Sequence, residues 1–507
     1  MPRRGFSTPS DTTLIDSSPA SHMNNARFCI LPIFQCLGNF KTKNHHHALI
    51  GKTVADDWKQ FLSAANTITH LKINQSIVEE MNSIGRSTWF QIARQLGSLP
   101  VFPSLRELEV ENLDDSIQYL SLLVSPSLEA VHIHPPSPDS GRSSPKKSTH
   151  LVPPIKPDDW EQAFEALVFQ ISESVPKLKT LTIVNTPHTS ASLLKPLARL
   201  SKLHCLELRH MIDVKDFNDI RPILGSLSNL GSLSIDFQTP GLHPTALRPL
   251  AMDNFLPSLT GLELIGATEV VFDFVRALGT KVLERLVLKC KSSSFISGHE
   301  RSEKTDIFTL VGSRWLKTLR EVRITAGSSE LCDIELISNF GALRQLCLEG
   351  CIVESLERSM VSPVTKSSCW RALEVLKLPI NYPISLQNLR SIAEATPSLS
   401  TASLNIDLSI IPSFYATGPI NHRLQTLTTT GNSEDVHRSQ RKKDRDKMEF
   451  MLDVVHHLDL LFPELKLLSS SPIDNFWNEA WKVLRLCHKI REDEEGRKKL
   501  KSQLLDS

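Results

Sequence analysis

The sequence predicts an α/β solenoid in which short parallel strands form one wall, helices form the other, and a helical cap closes the C-terminal end. The first observation is a unit of the form LxxLxL, which recurs along most of the chain, usually after a Pro-Ser-Leu or Ser-x-Leu lead-in. The second is the spacing of its copies, most of which start about 24 to 30 residues apart between Leu178 and Leu424. The third is the helical periodicity of the stretches between copies. A chain of 507 residues is too long for one compact core, whereas a repeat array grows by adding units.

The copies follow one another through the chain with little change in form. Their period is that of leucine-rich repeats and is too long for a hexapeptide β-helix, so the sequence predicts a leucine-rich-repeat solenoid, or horseshoe. Two weaker copies begin at Leu399 (LSTASL) and Leu424 (LQTLTT). The clear copies begin at Ile68 (ITHLKI), Leu105 (LRELEV), Leu128 (LEAVHI), Leu178 (LKTLTI), Leu203 (LHCLEL), Leu230 (LGSLSI), Leu259 (LTGLEL), Leu283 (LERLVL), Leu319 (LREVRI), Leu343 (LRQLCL) and Leu373 (LEVLKL).

Strand alternation predicts which side chains of each unit face outward. The second and third apolar positions are two residues apart and therefore point to the same, inner side of a short strand, while the residues flanking the third position point out of the concave wall. The mixture of acidic and basic side chains on that wall suits a protein partner. We predict that the concave partner-binding face consists of Thr182, Glu207, Arg209, Ser234, Asp236, Glu263, Lys289, Arg323, Glu349 and Lys377, with an acidic centre at Asp236 and Glu263 beside a basic stretch at Lys289 and Arg323.

The helical stretches and polar segments divide the chain into regions. Convex helices are predicted at 160–171, 217–227, 272–278 and 386–392. The predicted regions are a disordered leader at 1–25, a helical N-terminal segment at 26–66, the solenoid at 67–430 with a disordered Pro- and Ser-rich insertion at 134–158, a polar loop at 431–447, and a helical cap with a charged tail at 448–507.

Composition excludes several classes of function. The chain has 57 Lys and Arg against 56 Asp and Glu, so it lacks the global basic field that holds a nucleic acid. Its nine cysteines are dispersed without a CxxC pair, which indicates a reducing compartment, the cytoplasm or nucleus. The apolar stretch 28–37 is too short to span a membrane. Synthesis from Met23 would place it near the terminus like a secretory signal, but the cysteine pattern argues against secretion.

No local signature of catalysis or of a cofactor occurs, because GxSxG, HExxH, Walker A and dinucleotide glycine patterns are all absent from the sequence. His45, His46 and His47 lack a partner Cys or carboxylate at metal-ligand spacing and are interpreted as a solvated loop. Cys351 follows LRQLCLEG, where leucine-rich repeats place a structural Asn or Cys. Ser144 precedes Pro145 and is a candidate site for a proline-directed kinase. We therefore predict no catalytic, cofactor-binding or metal site.

The irregular repeats, the opening segment 57–71 (DWKQFLSAANTITHL) and the closing Trp-rich segment FWNEAWKVLRL resemble the F-box and leucine-rich-repeat proteins of mushroom-forming fungi. The likeness covers roughly residues 54 to 490. It implies a substrate receptor of a Skp, cullin and F-box ubiquitin ligase, in which the F-box docks on the Skp adaptor and the repeats present a protein substrate.

The N-terminal segment departs from that family's pattern. An F-box is a helical module opening with Leu-Pro, and residues 1–56 contain only an approximate match at Leu31 and Pro32, followed by Phe34. These three residues are the candidate adaptor-docking residues. The polar stretch 41–47 does not suit the middle helix of an F-box, so the resemblance implies a degraded or missing one.

The sequence thus favours a non-catalytic interaction protein, with a protein substrate on the concave face and a Skp-family adaptor as the second partner. Two alternatives remain open. A leucine-rich-repeat scaffold without a ubiquitin role has the same sequence features. A GTPase-activating leucine-rich-repeat protein would have more regular repeats and a more acidic interface.

Overall fold

The computed structural model describes residues 30–43, 46–111, 120–134, 157–184, 191–213, 217–238, 255–291, 307–326, 331–333, 340–354, 370–412, 419–420, 422–429, 444–470 and 475–505. Its main feature is a 15-stranded sheet whose paired strands all run parallel. The strands are added in chain order, as stacked repeats require. The predicted leucine-rich-repeat solenoid is confirmed.

Each predicted LxxLxL unit supplies one strand of this sheet. The strands are β3 His70–Ile73, β4 Glu107–Glu111, β5 Ala130–His134, β6 Thr180–Val184, β7 Cys205–Asp213, β8 Ser232–Gln238, β9 Gly261–Ala267, β10 Arg285–Lys291, β11 Glu321–Thr325, β13 Gln345–Glu349, β15 Val375–Lys377, β17 Thr401–Asp407, β18 Thr426–Thr429 and β19 Leu467–Ser470, with β16 Pro383–Ser385 beside β17. A separate two-stranded sheet pairs β12 Leu331–Asp333 with β14 Ile352–Glu354.

Register across the sheet aligns the apolar positions of successive units. Leu233, Leu262 and Leu286 are direct neighbours on β8, β9 and β10, and each is at most 1% exposed. Leu264 and Leu288 form the next buried row. These rows pack against the helices and create one continuous core, which is why each unit depends on its neighbours.

Helices occupy the other layer. They are α1 Leu31–Gln35, α2 Ala55–Asn66, α3 Gln75–Ser83, α4 Arg86–Leu96, α5 Pro157–Ser174, α6 Phe217–Ser226, α7 Thr268–Ala277, α8 Ile307–Trp315, α9 Leu386–Ala395, α10 Asp444–Leu461 and α11 Asn475–Leu505, with 3₁₀ helices at Ser121–Leu123 and Ala191–Arg199. Helix α7 shows their role, because its residues Val270, Val271, Phe274 and Val275 are all buried.

The N-terminal segment differs from the helical prediction for 26–66. Residues Phe40–Lys43 and His46–Leu49 form an antiparallel hairpin, β1–β2, between α1 and α2. The hairpin is held by the Phe40 ring, which stacks on His47 with centroids 5.3 Å apart, and by contacts of Phe40 with the buried Phe34. A helix through this polar stretch would lose that pairing.

The solenoid also continues beyond the predicted limit at residue 430. Strand β19 pairs in parallel with β18, and Leu465 and Leu468 are buried as the apolar positions of one more unit. Helix α10 therefore precedes a repeat, and α11 alone forms the terminal cap, burying Trp477, Ala480 and Leu484. No helix among the described residues combines the length and apolar character needed to cross a bilayer.

Candidate interaction surface on the sheet

The face of the sheet that points away from the helices carries regular rows of side chains and is called the concave face below. The middle row contains the residue between the two buried positions of each strand. Four of the predicted residues lie two positions after the middle row on their strands, namely Arg209, Asp236, Lys289 and Glu349. Register places the other six predicted residues on the middle row, which runs through Thr182, Glu207, Ser234, Glu263, Val287, Arg323, Cys347 and Lys377.

Burial on this face departs from the prediction at three positions. Thr182 is 5% exposed, Asp236 is 2% exposed and Glu263 is 9% exposed, whereas Lys289, Arg323, Glu349 and Lys377 are exposed. The predicted acidic centre at Asp236 and Glu263 is therefore wrong as a solvent-facing surface. For Asp236 and Glu263 the cause is that longer basic side chains, from strands one or two positions away in the sheet, lie over these shorter carboxylates.

The contacts of Glu263 show how the carboxylates are covered. Its Oε1 lies 2.8 Å from Lys289 Nζ on the next strand, while its Oε2 lies 3.9 Å from Arg285 Nη2 and 4.0 Å from Arg209 Nη2. Burial alone would raise the pKa of the Glu263 carboxyl, but the hydrogen bond from Lys289 and the charges of Lys289, Arg209 and Arg285 outweigh it, so this pKa is lowered. Glu263 thus stays ionised and gathers three cations around itself.

Further ion pairs extend this arrangement from β7 to β11. Lys291 Nζ lies 2.9 Å from Asp236 Oδ1, and Arg209 Nε lies 2.5 Å from Glu207 Oε1. Arg285 and Arg323 both contact Glu321, at 3.6 Å and 2.6 Å. These nine residues are called the charged strip, which comprises Glu207, Arg209, Asp236, Glu263, Arg285, Lys289, Lys291, Glu321 and Arg323.

In the charged strip, the basic side chains are more exposed to solvent than the acidic ones. The basic side chains are 39% to 51% exposed, whereas the acidic ones are 3% to 25% exposed. The layer that meets solvent is therefore cationic even though the strip contains nearly as many carboxylates. Strand alternation predicts Glu207 as part of this face, but it does not predict Arg285, Lys291 or Glu321.

The N-terminal end of the concave face has the opposite character. Lys72 Nζ lies 2.8 Å from both Glu109 Oε1 and Glu111 Oε1, and these hydrogen bonds raise the pKa of the lysine. Glu107 lies near His70 and His132, at 3.4 Å and 3.9 Å. The alternation of glutamates in LRELEVE is the sequence signal for this acidic end, which lies outside the predicted site.

The candidate adaptor-docking residues are not equally accessible. Pro32 is exposed and Leu31 is partly buried. Phe34 is 0% exposed, with its ring centroid 5.3 Å from that of Trp89 and 5.6 Å from that of Phe61. Phe34 is therefore a core residue of the N-terminal module, by which we mean helices α1 to α4 with the β1–β2 hairpin. Its assignment to a docking surface is wrong.

The remaining candidate residues are the cysteine at 351, the histidines at 45–47 and the serine at 144. Cys351 is 0% exposed, with its sulfur 3.6 Å from the Glu349 carbonyl oxygen, and burial raises the pKa of the nearby Cys347 thiol. The His47 ring contacts Thr42 Oγ1 at 3.2 Å. In the part of the chain that the structure describes, no cluster of three or more His, Cys, Asp or Glu side chains is arranged to hold a metal. Ser144 and most of the 134–158 insertion lie outside the described residues.

Comparison with known proteins gives likenesses of fold among solved structures. No family model matches the chain, and no curated protein matches it. The crystal structure of the Rad7 and Elc1 complex in yeast is similar over 82% of this chain and 91% of that one, with 14% identity and a TM-score of 0.38. The TLR13–ssRNA13 complex is similar over 66% of this chain and 50% of that one, with 16% identity and a TM-score of 0.28.

Proposed function

We propose that this chain is a non-catalytic protein-binding solenoid that acts in the cytoplasm or nucleus as the substrate receptor of a Skp–cullin–F-box-type ubiquitin ligase. The observation that carries the proposal is the charged strip on β7 to β11, where strands of a continuous sheet hold exposed basic groups in fixed register. Charged groups held on a rigid scaffold determine which partner binds and in what orientation. The resemblance to F-box and leucine-rich-repeat proteins supports the ligase role.

The N-terminal module is the proposed adaptor-binding part. Besides Pro32, it exposes the apolar side chains of Ile50 (49%), Val54 (60%) and Phe90 (69%). Val54 is the N-cap residue of helix α2. Phe90 lies on α4, where the adjacent Trp89 is buried. Exposed large apolar groups beside a well-packed core suit a protein contact. We propose Pro32, Val54 and Phe90 as the docking residues in place of Leu31 and Phe34.

The charged strip argues against the GTPase-activating alternative, because the solvent-facing layer of the concave centre is basic and that family's interface is acidic. A scaffold without a ubiquitin role differs from the proposal only in lacking the adaptor. Adaptor binding therefore separates the two.

The test is co-elution of the purified full-length chain with a purified fungal Skp-family adaptor in size-exclusion chromatography. We expect a stoichiometric complex that Phe90→Glu and Val54→Glu abolish, since both place a charge in an apolar contact. Ile410→Glu is the matched control, because Ile410 is 72% exposed and lies near the opposite end of the solenoid. Absence of a complex would leave the scaffold reading, and a complex unaffected by either variant would show that docking lies elsewhere.

A further inference from the structure

We infer that the charged strip binds an acidic, extended segment of the protein partner, which lies across strands β7 to β11 with its carboxylates on Arg209, Arg285, Lys289, Lys291 and Arg323. The inference rests on the proposed function in one respect, that a protein partner uses the concave face. It adds the chemistry of the segment and its path across the sheet.

The first step is that the acceptors of the strip are occupied. Both oxygens of Glu263 face cations, with Lys289 on Oε1 and Arg209 and Arg285 on Oε2. The Asp236 carboxylate, 3% exposed at its side chain, receives the ammonium group of Lys291. A partner approaching from solvent therefore meets few free carboxylate oxygens, and a basic segment would find its counter-charges already engaged below the surface.

The second step is that the donors of the strip are not exhausted. An arginine carries five N–H groups and a lysine three, and each cation of the strip contacts one or two acidic side chains. Arg285, Lys291 and Arg323 are 47%, 47% and 51% exposed, so part of each cationic group stays accessible to solvent even though Arg323 also donates to Gln345 Oε1. Guanidinium groups anchored in this way are preorganised for a second carboxylate.

The third step is the small size of the residues beside Arg285. On β8 and β9 the residues in register with Cys205 and Arg285 are Ser232 and Gly261. This row runs from Cys205 on β7 to Arg285 on β10, so the serine and the glycine leave little side-chain bulk on the sheet beside Arg285. Small residues there let an extended backbone pass close to the sheet beside Arg285.

The fourth step is a match of lengths. Adjacent strands lie about 4.8 Å apart, so the four spacings from β7 to β11 span roughly 19 Å. An extended chain advances about 3.3 Å per residue, so about six residues cover the strip. Acidic residues at alternate positions of such a segment would face the sheet together.

The chemistry favours a protein segment over a nucleic acid. Nucleic-acid affinity comes from uncompensated cations that replace condensed counterions. Here every cation of the strip has a carboxylate partner, and the whole chain carries a formal net charge of only +1. Local hydrogen bonds to a few well-placed carboxylates therefore suit this surface better than a long polyanion does.

The experiment measures binding of a fluorescent peptide of about ten alternating Glu and Ser residues to the full-length chain by anisotropy. We expect saturable binding that weakens when salt rises from about 50 mM to about 200 mM. The variant Arg285→Gln/Arg323→Gln should weaken it about tenfold, since two charge-assisted contacts are lost while Lys289 and Arg209 still hold Glu263. Arg323→Gln alone, with a smaller expected effect, serves if the double variant fails to fold.

Lys482→Gln is the control, because Lys482 is 68% exposed and paired with Glu479 on helix α11, away from the strip. It should leave peptide binding unchanged. A Lys–Ser peptide that binds as tightly as the acidic one, or a single-stranded oligonucleotide of matched charge that binds more tightly, would overturn the inference. So would full binding by the double variant. The adaptor test above is independent of these outcomes, so failure here leaves the proposed function standing.

Discussion

The ammonium group of Lys289 on β10 lies 2.8 Å from the carboxylate of Glu263 on β9, and this contact fixes the charge state of a buried acid in the middle of the concave face. Because Arg209 and Arg285 approach the same carboxylate, removing its charge leaves three cations without their common partner. Reversing it, as in Glu263→Lys, would add a fourth cation to the group. Glu263 is therefore a structural residue first, and its reversal is no clean test of binding.

We predict that Glu263→Gln lowers the free energy of unfolding by about 1 to 3 kcal/mol at neutral pH, because it removes an acceptor of charge-assisted hydrogen bonds. The pKa of Glu263 is lower in the folded chain than its ordinary value of 4.5. Its contribution is thus complete above that value and is lost as pH falls through the folded pKa. Urea denaturation should show a constant difference between wild type and variant above about pH 6, which shrinks below about pH 4.5. A difference that does not depend on pH would contradict this account.

Core packing gives a second prediction. Leu262 is 0% exposed and lies in register between Leu233 and Leu286. Leu262→Ala should cost about 2 to 5 kcal/mol, because it leaves a cavity between adjacent repeats. Leu99→Ala is the control, since Leu99 is 59% exposed, and it should change the denaturation midpoint little. Equal effects of the two variants would show that the rows are not tightly packed.

The turn after β13 gives a third prediction. Gly350 has a positive φ of 70°, and a Cβ added there would lie 2.1 Å from the carbonyl oxygen of Ala326. Gly350→Ala should therefore destabilise the chain by about 1 to 3 kcal/mol. Gly341→Ala is the matched control, because an added Cβ there meets nothing within 4 Å. Thermal melting of both variants checks the prediction, and a neutral Gly350→Ala would refute the turn geometry.

The strands can be predicted well from the sequence because two periods are visible in it. One is the two-residue alternation within each strand, and the other is the recurrence of the whole unit along the chain. The spacing of Leu262 and Leu264 fixes the buried side of β9, and recurrence of the unit fixes which residues of other strands align with them. The repeat ending at β19 was missed because Ser470 replaces the third apolar residue.

On the concave face, the burial of a side chain is harder to predict than the face of the sheet on which it lies. Alternation shows that Glu263 points away from the core. It does not show that Lys289 and Arg285 from the next strand, and Arg209 from two strands away, lie over it. Those contacts join units that are 22 to 54 residues apart in the chain, and they depend on side-chain length as well as on register.

The N-terminal module gives a fourth prediction. Phe34 packs on Phe61 and Trp89, so Phe34→Ala should cost about 3 to 5 kcal/mol and lower the melting temperature of this module. Pro32→Ala, two residues earlier and exposed, should change stability by less than about 0.5 kcal/mol. Loss of adaptor binding in Phe34→Ala would then reflect unfolding, whereas loss in a folded Pro32→Ala would locate the contact. A Phe34→Ala chain of undiminished stability would contradict the observed core.

The surroundings of His422 fix its protonation state and yield the last prediction. The ring is 4% exposed, with Nε2 2.7 Å from the Thr396 carbonyl oxygen and Nδ1 3.1 Å from the Leu424 backbone nitrogen. A carbonyl only accepts and a backbone N–H only donates, so Nε2 carries the proton and Nδ1 accepts. Only the neutral imidazole satisfies both contacts, and burial lowers the pKa of His422 accordingly.

Because this pKa is lowered, the unfolded chain takes up a proton near pH 6.5 that the folded chain refuses. The contribution of His422 to the free energy of unfolding is therefore fully present above that pH. It falls as pH drops below it, by at most about 1.4 kcal/mol per pH unit for this single group. His457, whose pKa burial also lowers, adds to the same slope. We expect His422→Phe to be less stable at pH 7.5, since the Thr396 carbonyl and the Leu424 N–H lose their partner, yet to depend less on pH between about 7 and about 5.5. Urea denaturation across that range decides the point, because an unchanged slope in the variant would mean that His422 titrates alike in both states.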